Sequence, residues 1–319
     1  MMNEIVLGID VGGTNTVFGF VDRDGNCISE YSIPTNAQED SKIYFNRLFE
    51  EIKNKFTPLA HYYSLLGIGI GAPNANYYKG TVEQPPNLNW GFVNVVEIVK
   101  SYFNIPTVIT NDANAAAIGE MVFGAAKEMK NFIVITLGTG VGSGIVANGE
   151  LIYGSDGFAG EIGHTVVFPD GRDCGCGKKG CLETYLSASG FKRTAFEILA
   201  KTNQKSELCK YSFCDLTPKI ISEAALNGDR VALETFDYSA KLLGLQIADA
   251  VAYTSPEAII IFGGVAKSGD LLLKPVKKYM EEYLLNIYKN KVNILPSGLQ
   301  DKNIAVLGAA ALIWKELDK

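Results

Sequence analysis

Apolar residues along this chain fall into short dense runs, and glycine follows most of them. Ile5-Val6-Leu7-Gly8-Ile9 reads as a strand, Asp10-Val11-Gly12-Gly13-Thr14-Asn15 as a glycine-rich turn, and Thr16 to Val21 as a second strand. Asp22-Arg23-Asp24-Gly25-Asn26 then reverses the chain into a third. The order is strand, glycine turn, strand. A dinucleotide fingerprint or a P-loop would open a helix after its glycines, and neither motif occurs in that context. The design returns at Phe132 to Leu137, with Gly138 to Gly144 as the loop. Ile145-Val146-Ala147 begins the return strand, and Asn148-Gly149 is its hairpin turn. The chain therefore reads as a weak internal duplication. A third apolar run, Ala258 to Phe262, is a buried strand ending in Gly263-Gly264. Thr107 to Thr110 is a further strand, closed by Asn111-Asp112, and Ala113 to Phe123 is a helix ended by Gly124.

Glycine lets an anion approach the backbone N–H groups closely, so Gly12, Gly13 and Thr14, and again Gly138, Thr139 and Gly140, suit a phosphate chain. Either loop alone could be a plain tight hairpin, but two of them point to two halves serving one nucleotide. Gly263 and Gly264, after a parallel strand, could take a base or ribose, or be an ordinary turn into a helix. Asp112 has a structural use as N-cap and a chemical one as general base. The helix dipole is expected to keep its carboxylate ionised, with Asn111 free to do the capping.

At 319 residues, two domains are expected. The net charge of −6 argues against a nucleic-acid surface, and no apolar run is long enough to span a bilayer. Met1 to Glu4 run into the first strand without a signal peptide, so a cytoplasmic protein with reduced thiols is expected. Of six cysteines, Cys174, Cys176 and Cys181 cluster after His164, a tetrahedral Cys3His zinc set by ligand type and spacing. One disulfide with a spare thiol, or three inert thiols, are the competing readings. Cys27, Cys209 and Cys214 stand outside the cluster. Glu161 and Glu183 bracket the set, and acids beside an imidazole suit a small polyhydroxylated ligand.

Taken together, the chain resembles the ROK family of sugar kinases and repressors. The matching residues are Asp10-x-Gly12-Gly13-Thr14, Asn111-Asp112-Ala113-Asn114-Ala115, Gly138-Thr139-Gly140-x-Gly142, Gly160-Glu161-Ile162-Gly163-His164, the stretch from Cys174 to Glu183, and Gly263-Gly264. The resemblance implies an α/β, actin-like and ribonuclease-H-like ATPase fold, two α/β domains with a cleft between them. The smaller is expected over 1–115 with a C-terminal helix at 302–319, and the larger, with the zinc segment, over 116–301. It implies ATP as donor, Mg2+ with Asp10 as its carboxylate, and Zn2+ as a structural tie on His164, Cys174, Cys176 and Cys181. It assigns Asp112 as the base on the 6-hydroxyl of a hexose and Asn87, Asn111, Glu161, His164 and Glu183 as sugar ligands. Gly12, Gly13, Thr14, Gly138, Thr139, Gly140, Gly263 and Gly264 would hold the nucleotide. Asn15 stands where the family often has lysine. The first strand begins near Ile5, leaving no room for the helix-turn-helix of the repressor branch. The expectation is a cytoplasmic glucokinase, forming a homodimer or larger homo-oligomer and binding neither nucleic acid nor membrane. An N-acetylmannosamine or N-acetylglucosamine kinase and a catalytically silent sugar sensor are the alternatives. Asn74, Asn76, Tyr77 and Tyr78 are expected near the rim of the sugar site.

Overall fold

The computed structural model of the protein describes residues 2–299 and 302–319. The chain divides into two compact units, Met1–Glu128 with Leu151–Ala159 and Gly298–Lys319, and Met129–Glu150 with Gly160–Ser297.

In the first unit, β1 (Asn3–Val11), β2 (Asn15–Val21) and β3 (Cys27–Pro34) form an antiparallel meander, and β4 (Tyr63–Gly71) adds parallel to the other side of β1. A small antiparallel sheet of β5 (Ala75–Asn76), β6 (Thr81–Glu83) and β7 (Phe92–Asn94) follows, and β8 (Thr107–Thr110) pairs parallel with β4. The main sheet runs β3-β2-β1-β4-β8. The unbroken apolar run of β1 is explained by burial on both faces, since a strand covered on two sides does not alternate. Ile5, Leu7 and Ile9 pack with Phe45, Leu48 and Phe49 of the helix Ser41–Phe56. Val6 packs instead with Val306, Ala310 and Trp314 of the helix Ile304–Leu317. That helix lies unusually close. A Cβ on Gly8 would meet the Val306 carbonyl oxygen at 2.2 Å, and one on Gly69 the Ala309 oxygen at 1.8 Å.

The second unit repeats the plan. β9 (Phe132–Leu137) and β10 (Val141–Ala147) are antiparallel, β11 (Glu150–Leu151) lies at the edge, and β12 (Ala258–Phe262) and β13 (Asn293–Pro296) continue parallel from β9. The order β11-β10-β9-β12-β13 matches that of the first sheet strand for strand. Ile133, Ile135, Ile259 and Ile261 meet Phe191, Phe236, Leu243 and Met280 of the helices Ala188–Lys201, Arg230–Thr254 and Asp270–Tyr283. Among the described residues no helix is long and apolar enough to cross a membrane.

Two sequence-based readings change. The second glycine loop is shorter than Gly138 to Gly144, because Gly142 and Gly144 sit in the β10 ladder opposite Thr136 and Val134. The backbone pairing of the ladder overrides the turn preference of glycine. The unit boundaries also fall elsewhere than 115/116 and 301/302. The helix Asp112–Val122 packs along Ile304–Leu317, with Gly119 against Gly308, and so stays whole within the first unit.

Candidate active site

In the first unit Asp10 stands near the end of β1, paired with Val17 of β2 and Gly71 of β4. Asp112 opens the helix that follows β8. Asn111 caps this helix, its side chain accepting from the Asn114 N–H at 2.6 Å, while Asp112 Oδ1 accepts from the Ala113 N–H at 2.9 Å. A Cβ on Gly71 would lie 3.9 Å from both Asp10 Oδ1 and the Asp112 Cα, so the two acids border one small volume that glycine leaves open.

Burial, aided by the charge of Asp112, pushes the Asp10 carboxyl up to about 7. Asp112 keeps an exposed edge, but burial of its surroundings raises it too, against the downward pull of backbone N–H groups. The direction is opposite to the one a helix N-terminus favours. Desolvation outweighs the dipole here. A stability consequence follows for Asp10. Its folded pKa lies above the unfolded value of 3.8, so the folded chain holds the extra proton between the two, and stability falls as pH rises through that window to about 7. Asp10→Asn should therefore melt about 3–6 °C higher than the parent at pH 8 without divalent cations, and no higher at pH 4, by calorimetry. Equal shifts at both pH values would contradict this.

The first glycine turn is held from beneath. Thr35 Oγ1 donates to the Gly12 carbonyl at 2.7 Å, and Thr16 Oγ1 joins the Thr35 hydroxyl at 2.9 Å and the Tyr44 hydroxyl at 2.7 Å, all buried. Sequence reading missed this chain of hydroxyls, for which alternation within β2 gives no signal. Asn87 lies beside the turn, its Cβ 3.2 Å from where one on Gly13 would be. Thr14 has an exposed side chain, and its carbonyl accepts from the Thr35 N–H at 2.9 Å. The expected rim residues are occupied within their own unit. Asn74 donates to the Glu83 and Gln84 carbonyls, and buried Asn76 donates to that of Asp156 at 2.8 Å. Tyr77 stacks on Tyr153 at 4.1 Å and donates to Glu316 at 2.7 Å, while Tyr78 meets Tyr153 edge-on.

In the second unit the turn Gly138-Thr139-Gly140 is closed by the Gly138 N–H to the Gly140 carbonyl at 3.0 Å. Glu183 Oε2 accepts from the Val141 N–H at 2.9 Å and so sits against this turn. Gly263, at φ +112°, presses on the Leu137 backbone, whereas a Cβ on Gly138 or Gly264 would meet no protein atom within 4 Å. Both positions thus leave open space beside bare backbone.

Gly160-Glu161-Ile162-Gly163-His164 lies along the start of β10. A Cβ on Gly163 would stand 2.0 Å from the Val141 oxygen, and one on Gly160, at φ +97°, 2.8 Å from that of Ser143. Only glycine permits this approach, which sets the places of Glu161 and His164. His164 and the three thiols come together, with their ligand atoms all within 4.8 Å of one another. His164 Nδ1 is 3.6 Å from Cys174 Sγ, and Cys176 Sγ is 3.6 Å from Cys181 Sγ. A zinc tetrahedron with bonds of about 2.0–2.3 Å has edges of roughly 3.3–3.8 Å, so both spacings fit. His164 Nε2 is left 4.0 Å from Glu161 Oε2. All six cysteines are free thiols, and Cys27, Cys209 and Cys214 are exposed.

The family profile described as the ROK family matches residues 6–316. A glucokinase of Halalkalibacterium halodurans is 39 % identical over 291 residues, covering 89 % of this chain and 88 % of its own. A xylose repressor of Caldicellulosiruptor bescii is 30 % identical over 98 % of this chain and 78 % of its own. Among solved structures, a ROK family glucokinase from Streptomyces griseus, in complex with glucose and AMPPNP, has a TM-score of 0.80. Its identity is 34 %, over 97 % of this chain and 98 % of that one.

Proposed function

The chain belongs to the ROK family, and on that premise we propose that it is an ATP-dependent kinase moving the γ-phosphate to the 6-hydroxyl of a hexose, with glucose preferred. The observation that carries the reading is the pair Asp10 and Asp112 around the glycine-cleared volume at Gly71, each acid raised above its ordinary range. A base acts best when its pKa approaches the working pH, and burial moves Asp112 that way. Asp112 takes the hydroxyl proton as the sugar oxygen attacks phosphorus. Asn111, already committed as the cap, holds the start of that helix and offers its remaining polar atoms to the sugar.

Asn87, Glu161, Glu183 and His164 Nε2 bind the other hydroxyls. The backbone of Gly12 to Thr14 and of Gly138 to Gly140 holds the phosphates, and Gly263 and Gly264 the nucleoside. Mg2+ beside Asp10 would neutralise phosphate charge, which suits a carboxyl otherwise held up near 7 by burial and, less, by its acidic neighbour. Zinc on His164 Nδ1 and the three thiols would supply rigidity, since four protein ligands fill its sphere. With Nδ1 so engaged, Nε2 is the nitrogen presented to the sugar.

The kinship with glucokinases supports glucose as acceptor, and that with the xylose repressor favours a second reading, a sugar-responsive regulator without turnover. A coupled ADP-release assay over glucose, mannose, fructose, N-acetylmannosamine and N-acetylglucosamine separates them. The expected result is the highest kcat/KM with glucose. Preference for N-acetylmannosamine moves the assignment to an N-acetylhexosamine kinase. Sugar binding without ADP release moves it to the regulator.

A further inference from the structure

Arg172 lies in the loop between His164 and Cys174 and is only 7 % exposed. A guanidinium carries five N–H donors in a rigid fork, and here every donor has an acceptor. Nε donates to Glu197 Oε1 at 3.2 Å, and Nη1 to the carbonyls of Thr184 at 2.7 Å and Gly190 at 3.1 Å. Nη2 donates to Thr194 Oγ1 at 3.0 Å and Glu197 Oε2 at 2.7 Å. The guanidinium also covers the Tyr185 ring at 4.3 Å. Its main chain joins in, the N–H donating to the Tyr185 hydroxyl at 3.2 Å and the carbonyl accepting from Gly180 at 2.7 Å.

Four of the five guanidinium bonds reach Gly190, Thr194 and Glu197 of the helix Ala188–Lys201, and the fifth ties that helix to the Thr184 carbonyl in the turn before it. Thr184 follows Glu183, the acid fastened to Val141, and Gly180 precedes Cys181, the last thiol. None of the five guanidinium bonds involves a side chain of the metal set. We infer that Arg172 is a positioning residue for the sugar, fixing the turn Cys181-Leu182-Glu183-Thr184, and with it the Glu183 carboxylate, by a mount separate from the metal. This rests on the reading of Glu183 as a sugar ligand. Lysine keeps the charge but has no planar fork to bridge two carbonyls, a hydroxyl and a carboxylate at once.

The test is Arg172→Lys in the full chain, with glucose and ATP kinetics, metal analysis, and backbone hydrogen exchange at Val141 and over 180–186. Glucose KM should rise about tenfold, with kcat and the ATP KM within about twofold of the parent, as a loss near 1.4 kcal/mol confined to sugar binding requires. Metal content should stay at the parent level, and exchange at Val141 and in the turn should quicken. An unmoved glucose KM, or both KM values rising together with metal loss, overturns the inference. Should the lysine variant not fold, Glu197→Gln removes the anion from the partly exposed end of the fork. It should raise glucose KM about two- to threefold, and no rise there overturns the inference equally. Exchange needs no turnover. Parent protein that phosphorylates no hexose would defeat the kinase reading, while the exchange at Val141 would still judge the mount.

Discussion

Asp112→Ala lowers kcat for hexose phosphorylation by at least about 10²-fold, the scale for loss of a general base, while sugar affinity changes far less. The helix should survive, because Asn111 and not Asp112 is its cap. Circular dichroism and melting of the variant separate lost chemistry from lost fold. Near-parental turnover would remove Asp112 from the mechanism. The pH profile gives an independent reading. A base works deprotonated, and burial raises this one, so the acid limb of kcat should have its midpoint above the ordinary aspartate value near 3.8. Activity then falls, as the solution is acidified, earlier than an exposed aspartate would allow. A limb at or below 3.8 would show that the helix N-terminus dominates after all.

Cys176→Ser should leave the metal absent or labile, lower the melting temperature and raise the sugar KM about tenfold or more, with the ATP KM changed by less than about twofold. The asymmetry is the point. The thiols and His164 hold the loop between Glu161 and Glu183, whereas Gly12 to Thr14 are fixed by the buried Thr35, Thr16 and Tyr44 hydroxyls. Elemental analysis of the parent protein is the companion measurement, and fully active protein without zinc would reject the structural-metal assignment.

The parts of this site that the sequence discloses are those with short-range signatures. The Cys3His set is legible because three thiols and the turn glycines Gly177 and Gly180 are close in sequence, and the two glycine turns because apolar runs flank them. Features whose partners lie far along the chain carry no such signature. Gly142 and Gly144 look like loop residues until the β9 ladder claims them. Tyr77 and Asn76 read as residues near a sugar rim, and nothing local shows that Tyr77 stacks on Tyr153 or that Asn76 bonds the Asp156 carbonyl. The raised pKa of Asp112 depends on how much protein surrounds it, which no local pattern encodes. Arg172 carries no local signal, because its five acceptors lie between Thr184 and Glu197.

The dependence of β1 and β4 on the helix Ile304–Leu317 also bears on how the chain is made. Gly8 and Gly69 leave a face that the helix Ile304–Leu317 fills with Val306, Ala309, Ala310 and Ile313, and Gly160–Ser297 must be synthesised before that helix exists. The ribosome therefore releases the second unit with nearly all of its own contacts available, while the first emerges earlier and waits with one side of its sheet bare. Domains usually mature in the order in which they are translated. Here the first unit, although begun first, completes its packing only once the closing helix has been made.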